Sequence, residues 1–132
     1  MSKYTIIFDD GDYIEHLESS FYSWPTSAQS NLLYLYDEKR KPIGRFNIKH
    51  VAAIYNEEFE NDNLGDQIIF SNIRKYTFLT SGEDGTWELY SDSHDYNSEL
   101  NTIDLRRDNQ IDATINLNTA YGYYVEDLQT NE

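Results

Sequence analysis

A single mostly β domain is what these 132 residues predict: an antiparallel sandwich or open barrel of about eight short strands, with at most one or two short helices. Three observations carry it. Apolar residues come in short runs punctuated by Gly, Asn and Asp, and turn signals recur about every eight to twelve residues. Two runs around residues 103–117 alternate strictly, with Ile103, Leu105, Ile111, Ala113, Ile115 and Leu117 on one side. Twelve Tyr, six Phe and two Trp are interleaved with Ile, Leu and Val, enough apolar material for a core despite the acidity.

In chain order, residues 4–8 form a β-branched and aromatic strand ended by Asp9-Asp10-Gly11-Asp12, where Asp-Gly signals a hairpin turn. Residues 13–18 return. Residues 19–31, with Trp24-Pro25 and five serines, read as a loop, and Pro25 biases Trp24 to an extended conformation. Residues 32–36 are a strand and 37–42 a charged turn. Residues 43–48 and 51–55 are two strands or one long bent strand. After an acidic loop, 67–70 is a short strand, and 72–79 is either helical or extended. A second Asp-Gly turn at 81–85 leads to 86–90, with Trp87 and Leu89 on one face. Residues 91–98 read as polar loop, the alternating runs as a hairpin with acids outermost, and 121–125 as the last strand. Disorder is expected at 128–132 and in the acidic stretch 57–66.

Size and composition exclude several classes. The chain suits one domain, burying about two-thirds of its unfolded surface. With no Cys there is no disulfide framework, thiolate zinc site or thiol nucleophile. The N-terminal apolar run is broken by acid, so neither a signal peptide nor a membrane span is expected, and the default location is cytoplasmic, that of the host cell if the chain is phage-encoded.

Catalytic motifs are mostly missing. There is no phosphate-cradling Gly loop, no G-x-S-x-G elbow, no H-E-x-x-H and no dinucleotide fingerprint. His16, His50 and His94 read as surface or edge-strand residues, since nothing in their spacing predicts a pair or triad. Asp37-Glu38-Lys39 fits the D-x-K tail of a metal-dependent nuclease, with Asp9, Asp10 or Asp12 as the other carboxylate, but three-letter matches are frequent by chance and a hairpin connection is sufficient reason for it. Asp9–Asp12 does not match a calcium loop, which needs six to eight oxygens at other spacings. No catalytic residue, metal or cofactor is assigned.

Charge is the unusual feature. The chain carries 24 acids against 10 bases, a net charge of −14. Residues 50–132 hold seventeen of the acids and four bases. An array of tyrosines (Tyr34, Tyr36, Tyr90, Tyr96 and Tyr121-Gly122-Tyr123-Tyr124) would be a nucleic-acid platform in a basic protein. Here phosphates would be repelled, and exposed Tyr beside carboxylates suits a protein interface instead. A negative field steers toward cationic partners, and carboxylates can offer a basic groove the charge-assisted hydrogen bonds that phosphates offer. The expected partner is a basic nucleic-acid-binding protein or nuclease, contacted through Glu57, Glu58, Glu60, Asp62 and Asp66 and through Glu83, Asp84, Glu88, Asp92 and Asp95.

In size, acidity, tyrosine content and lack of catalytic motifs the chain is similar to the DNA-mimic inhibitors of phages and mobile elements, including anti-CRISPR and anti-restriction proteins. The likeness is one of composition and type, and it assigns no residue. Two other readings stand beside it. One is a β-barrel binding a nucleotide-like ligand in an aromatic pocket near Trp24, Trp87 and Tyr121–Tyr124, with Lys39, Arg40, Lys41, Arg45 and Lys49 as anion contacts. The other is an assembly protein whose acidity keeps it soluble. Monomer and dimer are both open.

Overall fold

The computed structural model describes residues 1–27, 30–61, 73–82 and 85–127. The strand expected at 67–70, the acids Asp62, Asp66, Glu83 and Asp84, and the tail at 128–132 lie outside them. The described chain is mostly β: β1 (Ser2–Phe8), β2 (Tyr13–Ser19), β3 (Phe21–Ser23), β4 (Leu32–Tyr36), β5 (Pro42–Asn47), β6 (Val51–Asn56), β7 (Arg74–Leu79), β8 (Thr86–Ser91), β9 (Ser93–Asn97), β10 (Thr102–Arg107), β11 (Gln110–Asn116) and β12 (Gly122–Asp127). Two 3-10 turns, Ile48–His50 and Glu57–Glu60, are its helical elements.

Every strand pair is antiparallel, and the pairs form three sheets. A central sheet runs β2-β1-β6-β11-β10-β9 and is flanked by β12-β7-β8 and β3-β4-β5. Alternation along β1 explains the layering. Ile7 joins Ala53, Tyr55, Ala113, Ile115, Ile103 and Leu105 against Tyr76, Phe78 and Leu89 of the β12-β7-β8 sheet. Tyr4 and Ile6 point the other way and, with Ile54, pack on Leu33, Leu35, Tyr22 and Phe46 of the β3-β4-β5 sheet. The central sheet is thus covered on both faces where β1 and β6 meet. That is why all six residues of β6 are buried and five of them, Val51–Tyr55, are an apolar run.

Two irregularities set the pairing. Ala52 is the extra residue between Ile7↔Ala53 and Phe8↔Val51, a bulge that returns Val51 to the same face as Ile54. The β1–β2 ladder slips between Tyr4↔Leu17 and Ile6↔Ile14, and His16 there has φ 63°. Turns follow their local chemistry. Gly11 takes φ 88°, and a Cβ there would lie 2.3 Å from the Ser81 carbonyl oxygen, so the first turn needs Gly for space as well as conformation. Asp108 and Asn109, at φ 54° and 66°, make the two-residue type I′ turn of the β10–β11 hairpin.

Several expectations change in detail. The serine-rich loop contains β3, because Tyr22 alternates inward to the core while Phe21 and Ser23 face out. The stretch 43–55 is two strands in different sheets, separated by the turn at Ile48–His50. The described part of 72–79 is extended, since Tyr76 and Phe78 alternate into the core and helical spacing would lose that contact. The polar stretch at 91–98 holds β9, an edge strand whose hydrogen bonds to β10 need no apolar side chains. The acids of the β10–β11 hairpin are not all outermost, for Asp104 and Asp112 are half-buried and hydrogen-bonded. Among the described residues, no helix is long and apolar enough to cross a membrane.

Truncating Ile54, fully buried between two layers, to Ala should cost about 2–5 kcal/mol. The same change at Ile111, 45% exposed, should cost under about 0.5 kcal/mol. Urea denaturation of the two variants checks this, and equal losses would refute the doubly covered sheet.

Candidate functional site

The acids expected to bind a partner are in part structural. Glu57 opens the 3-10 turn after β6, and its carboxylate reaches back to β1 and β2. Its Oε2 accepts from the Thr5 hydroxyl at 3.0 Å and from the His16 backbone N–H at 2.6 Å, and Oε1 lies 2.9 Å from His16 Nδ1. One carboxylate thereby satisfies the bulge and holds His16 in a left-handed conformation that costs a non-Gly residue about 1–2 kcal/mol. Burial pushes the Glu57 carboxyl up, but the hydrogen bonds from His16 and Thr5 outweigh it, and the pKa falls below its ordinary value.

Glu58 and Glu60 are exposed on the same turn, which Phe59 anchors in the core at 2% exposure. Glu60 Oε2 accepts from the Tyr55 hydroxyl at 2.7 Å. The guanidinium of Arg107 stacks over Phe59, 5.4 Å from the ring centroid, and donates to the carbonyls of Glu58 and Asn61. Both Glu58 and Asp92 act electrostatically on that guanidinium. Asp92 in turn accepts from the Asp108 backbone N–H at 2.9 Å and from the Ser93 hydroxyl at 3.1 Å. A member of each expected patch therefore meets at Arg107, at the edge where β8, β10 and the turn after β6 converge.

Glu88 and Asp95 lie apart from that corner. Glu88 is on the outer face of the β12-β7-β8 sheet, where Lys75 Nζ sits 3.6 Å from it and 3.3 Å from Glu126. Asp95 is on edge strand β9 and pairs with Arg106. Asp62, Asp66, Glu83 and Asp84 fall outside the described residues.

Sequence reasoning missed a buried polar row on the central sheet beside the β3-β4-β5 layer. Asp112 accepts from the Tyr4 hydroxyl at 2.7 Å and from Asn56 Nδ2 at 2.9 Å. Thr114 Oγ1 donates to Asp104 at 2.9 Å and lies 2.7 Å from the Tyr22 hydroxyl. Burial, with the Asp95 charge nearby, raises the Asp104 carboxyl. Burial and the Asp112 carboxylate raise the Tyr4 phenol far out of its usual range. The signal was the period-two placement of Asp104, Asp112 and Thr114 opposite the apolar set, which reads equally as a solvated face.

The histidines have local partners. His16 is bound to Glu57, and His50 Nδ1 lies 3.0 Å from Asp9. His94 is on β9, facing inward, with Nδ1 2.8 Å from the Tyr76 hydroxyl and its ring edge-on to Tyr76 and Tyr123. Burial, then the charge of Arg74, lower the His94 pKa. The D-x-K stretch is a turn in which Asp37 Oδ1 accepts from the N–H groups of Lys39 and Lys41, both at 2.9 Å. Asp10 likewise accepts from the Asp12 N–H at 2.9 Å. Among the described residues, no three His, Asp or Glu side chains gather to hold a metal.

The joint aromatic pocket is not formed. Trp24 packs against the β3-β4-β5 core, whereas Trp87 packs against the other core, donating from Nε1 to Thr80 Oγ1 at 3.0 Å. The central sheet stands between them. Tyr121 and Tyr124, at 73% and 52% exposure, sit with β12 on the Trp87 side.

The pKa directions set an acid profile. His94 is depressed, so its stabilisation is complete above 6.5, the ordinary imidazole value, and is lost as pH falls through its folded-state pKa. Glu57 follows the same sign below its ordinary 4.5. Urea denaturation between roughly pH 7.5 and 3 should show both losses. His94→Gln removes the first and Glu57→Gln the second, and an unchanged profile in both variants would refute the assignments.

No protein-family model, curated protein or solved structure matches the chain.

Proposed function

We propose that this is a small acidic, non-catalytic binding protein that docks in the cationic groove of a nucleic-acid-handling protein and blocks it by placing carboxylates where phosphates would lie. The observation that carries this reading is the segregation of charge. Residues 20–50 hold two acids and five bases, whereas residues 1–19 and 51–132 hold twenty-two acids and five bases. The strongly anionic body steers toward a positive surface and away from nucleic acid itself.

How the acids are held decides which would contact a partner. Glu88 and Asp95 are offset by Lys75 and Arg106. Glu60 and Asp92 are positioned by neutral donors, a phenol, a hydroxyl and a backbone N–H, which orient a carboxylate without cancelling its charge. The corner where Glu58 and Asp92 meet at the Arg107 guanidinium, with Glu60 on the same turn as Glu58, is accordingly the contact face of this proposal. Its carboxylates are held ready for Lys and Arg donors, which lowers the ordering cost of binding.

The test is competition with nucleic acid for purified nucleases, restriction enzymes, glycosylases and nucleoid proteins at low salt. Binding should weaken steeply with added salt, and the double variant Glu58→Lys, Glu60→Lys should lose about tenfold or more in affinity. Glu88→Lys, Asp95→Lys should lose less. A panel with no salt-sensitive binder, or equal affinity for both double variants and the parent, would sink the proposal.

A further inference from the structure

The one region that departs from the acidic balance is also the one that presents stacked rings to solvent. On the outer face of the β3-β4-β5 sheet, Phe21 stacks on Tyr36 with centroids 4.7 Å apart, and Tyr36 on Tyr34 at 6.0 Å. Guanidinium groups close both ends of the row, Arg40 over Phe21 at 5.7 Å and Arg45 over Tyr34 at 5.5 Å. Register places Ser23, Tyr34 and Arg45 opposite one another across the three strands. Beside this row, Ser23, Trp24, Thr26, Ser30, Leu32 and Tyr34 help to line an open cavity of about 330 Å³.

Two physical points separate this face from a merely solvated one. First, although the chain has 24 acids, none of Lys39, Arg40, Lys41, Arg45 or Lys49 is within ion-pairing distance of a carboxylate among the described residues. On the other sheets Lys75 and Arg106 are paired, while Lys3 and Arg74 make no carboxylate pair among the described residues. The cations of this layer are left available for an anion. Second, the lining combines the Trp24 indole, on which a planar ring can stack, with serine and threonine hydroxyls that can bond a sugar. Arg45 stands next to the wall formed by Tyr34, where it can take a phosphate.

We infer that this cavity is a binding site for a mononucleotide, its base stacked on Trp24 and its phosphate held by Arg45 beside Tyr34. The volume is at the small end of the roughly 300–1,000 Å³ range of small-molecule sites, which suits one nucleotide. An oligonucleotide would carry further phosphates over the anionic body and be repelled. The site lies on a different layer from the acidic corner, so it stands independently of the inhibitor reading.

Trp24 supplies the readout. The chain has two Trp, so Trp87→Phe leaves Trp24 as its only indole. Titrating that variant with adenosine monophosphate at low salt should quench Trp24 fluorescence saturably, with a dissociation constant on the order of 1 mM or tighter. Adding Arg45→Gln, an exposed substitution that far-UV circular dichroism can certify as folded, should weaken adenosine monophosphate about tenfold and leave adenosine unchanged. Absence of saturable quenching would overturn the inference. So would an Arg45→Gln variant that still prefers the nucleotide to the nucleoside, or a thymidine oligomer that binds more tightly than the mononucleotide.

Discussion

Burial of one strand on both faces is the constraint on which the rest of the molecule depends. β6 lies between β1 and β11, and its two faces receive two different sheets, so all six of its residues are buried. An antiparallel sheet in a chain of this length commonly keeps one wet face. Here the connections through β3-β4-β5 and through β7-β8 fold back on opposite sides of the same sheet, and small residues at Ala52 and Ala53 accompany the bulge that lets both layers seat. Because stability rests on two cores sharing one strand, a loss at Ile54 or Ile7 loosens an outer layer together with the centre.

Covering both faces also encloses polar atoms, and most of the bonding described for the acids answers that problem. A buried donor or acceptor without a partner costs about 1–3 kcal/mol, so the polar row on β10 and β11 is tied to Tyr4, Tyr22 and Asn56. Asn116, 2% exposed, donates to the carbonyls of Ile48 and Val51 and fastens the turn before β6 to β11. Glu57 serves the bulge at His16 in the same way. These acids act as internal connectors, and only the remainder can serve as surface charge.

Charge and aromatic character then divide along the layers. Among the described residues, the cations of the β3-β4-β5 layer have no carboxylate within ion-pairing distance, and stacked rings cover the outer face of that sheet. On the other two sheets, which carry most of the acids, Lys75 and Arg106 are ion-paired and Arg107 is held against backbone carbonyls. One chain thereby presents surfaces of opposite sign on different layers.

The sequence by itself determined the β class, the turns at Gly11 and at Asp108-Asn109, the inward set Trp87 and Leu89, and the alternating hairpin, because each rests on chemistry within a few residues. Strands such as β3 and β9, poor in aliphatic residues, escaped it, since their pairing is made by backbone bonds to neighbours brought from elsewhere. The tertiary structure alone decided that Trp24 and Trp87 belong to opposite cores and that Glu57 is a clamp. It also decided that Glu58 and Asp92 meet at one guanidinium while Glu88 and Asp95 are matched by cations. Composition counts charges, but only the packing of distant strands determines which carboxylate finds a donor and which is left facing solvent.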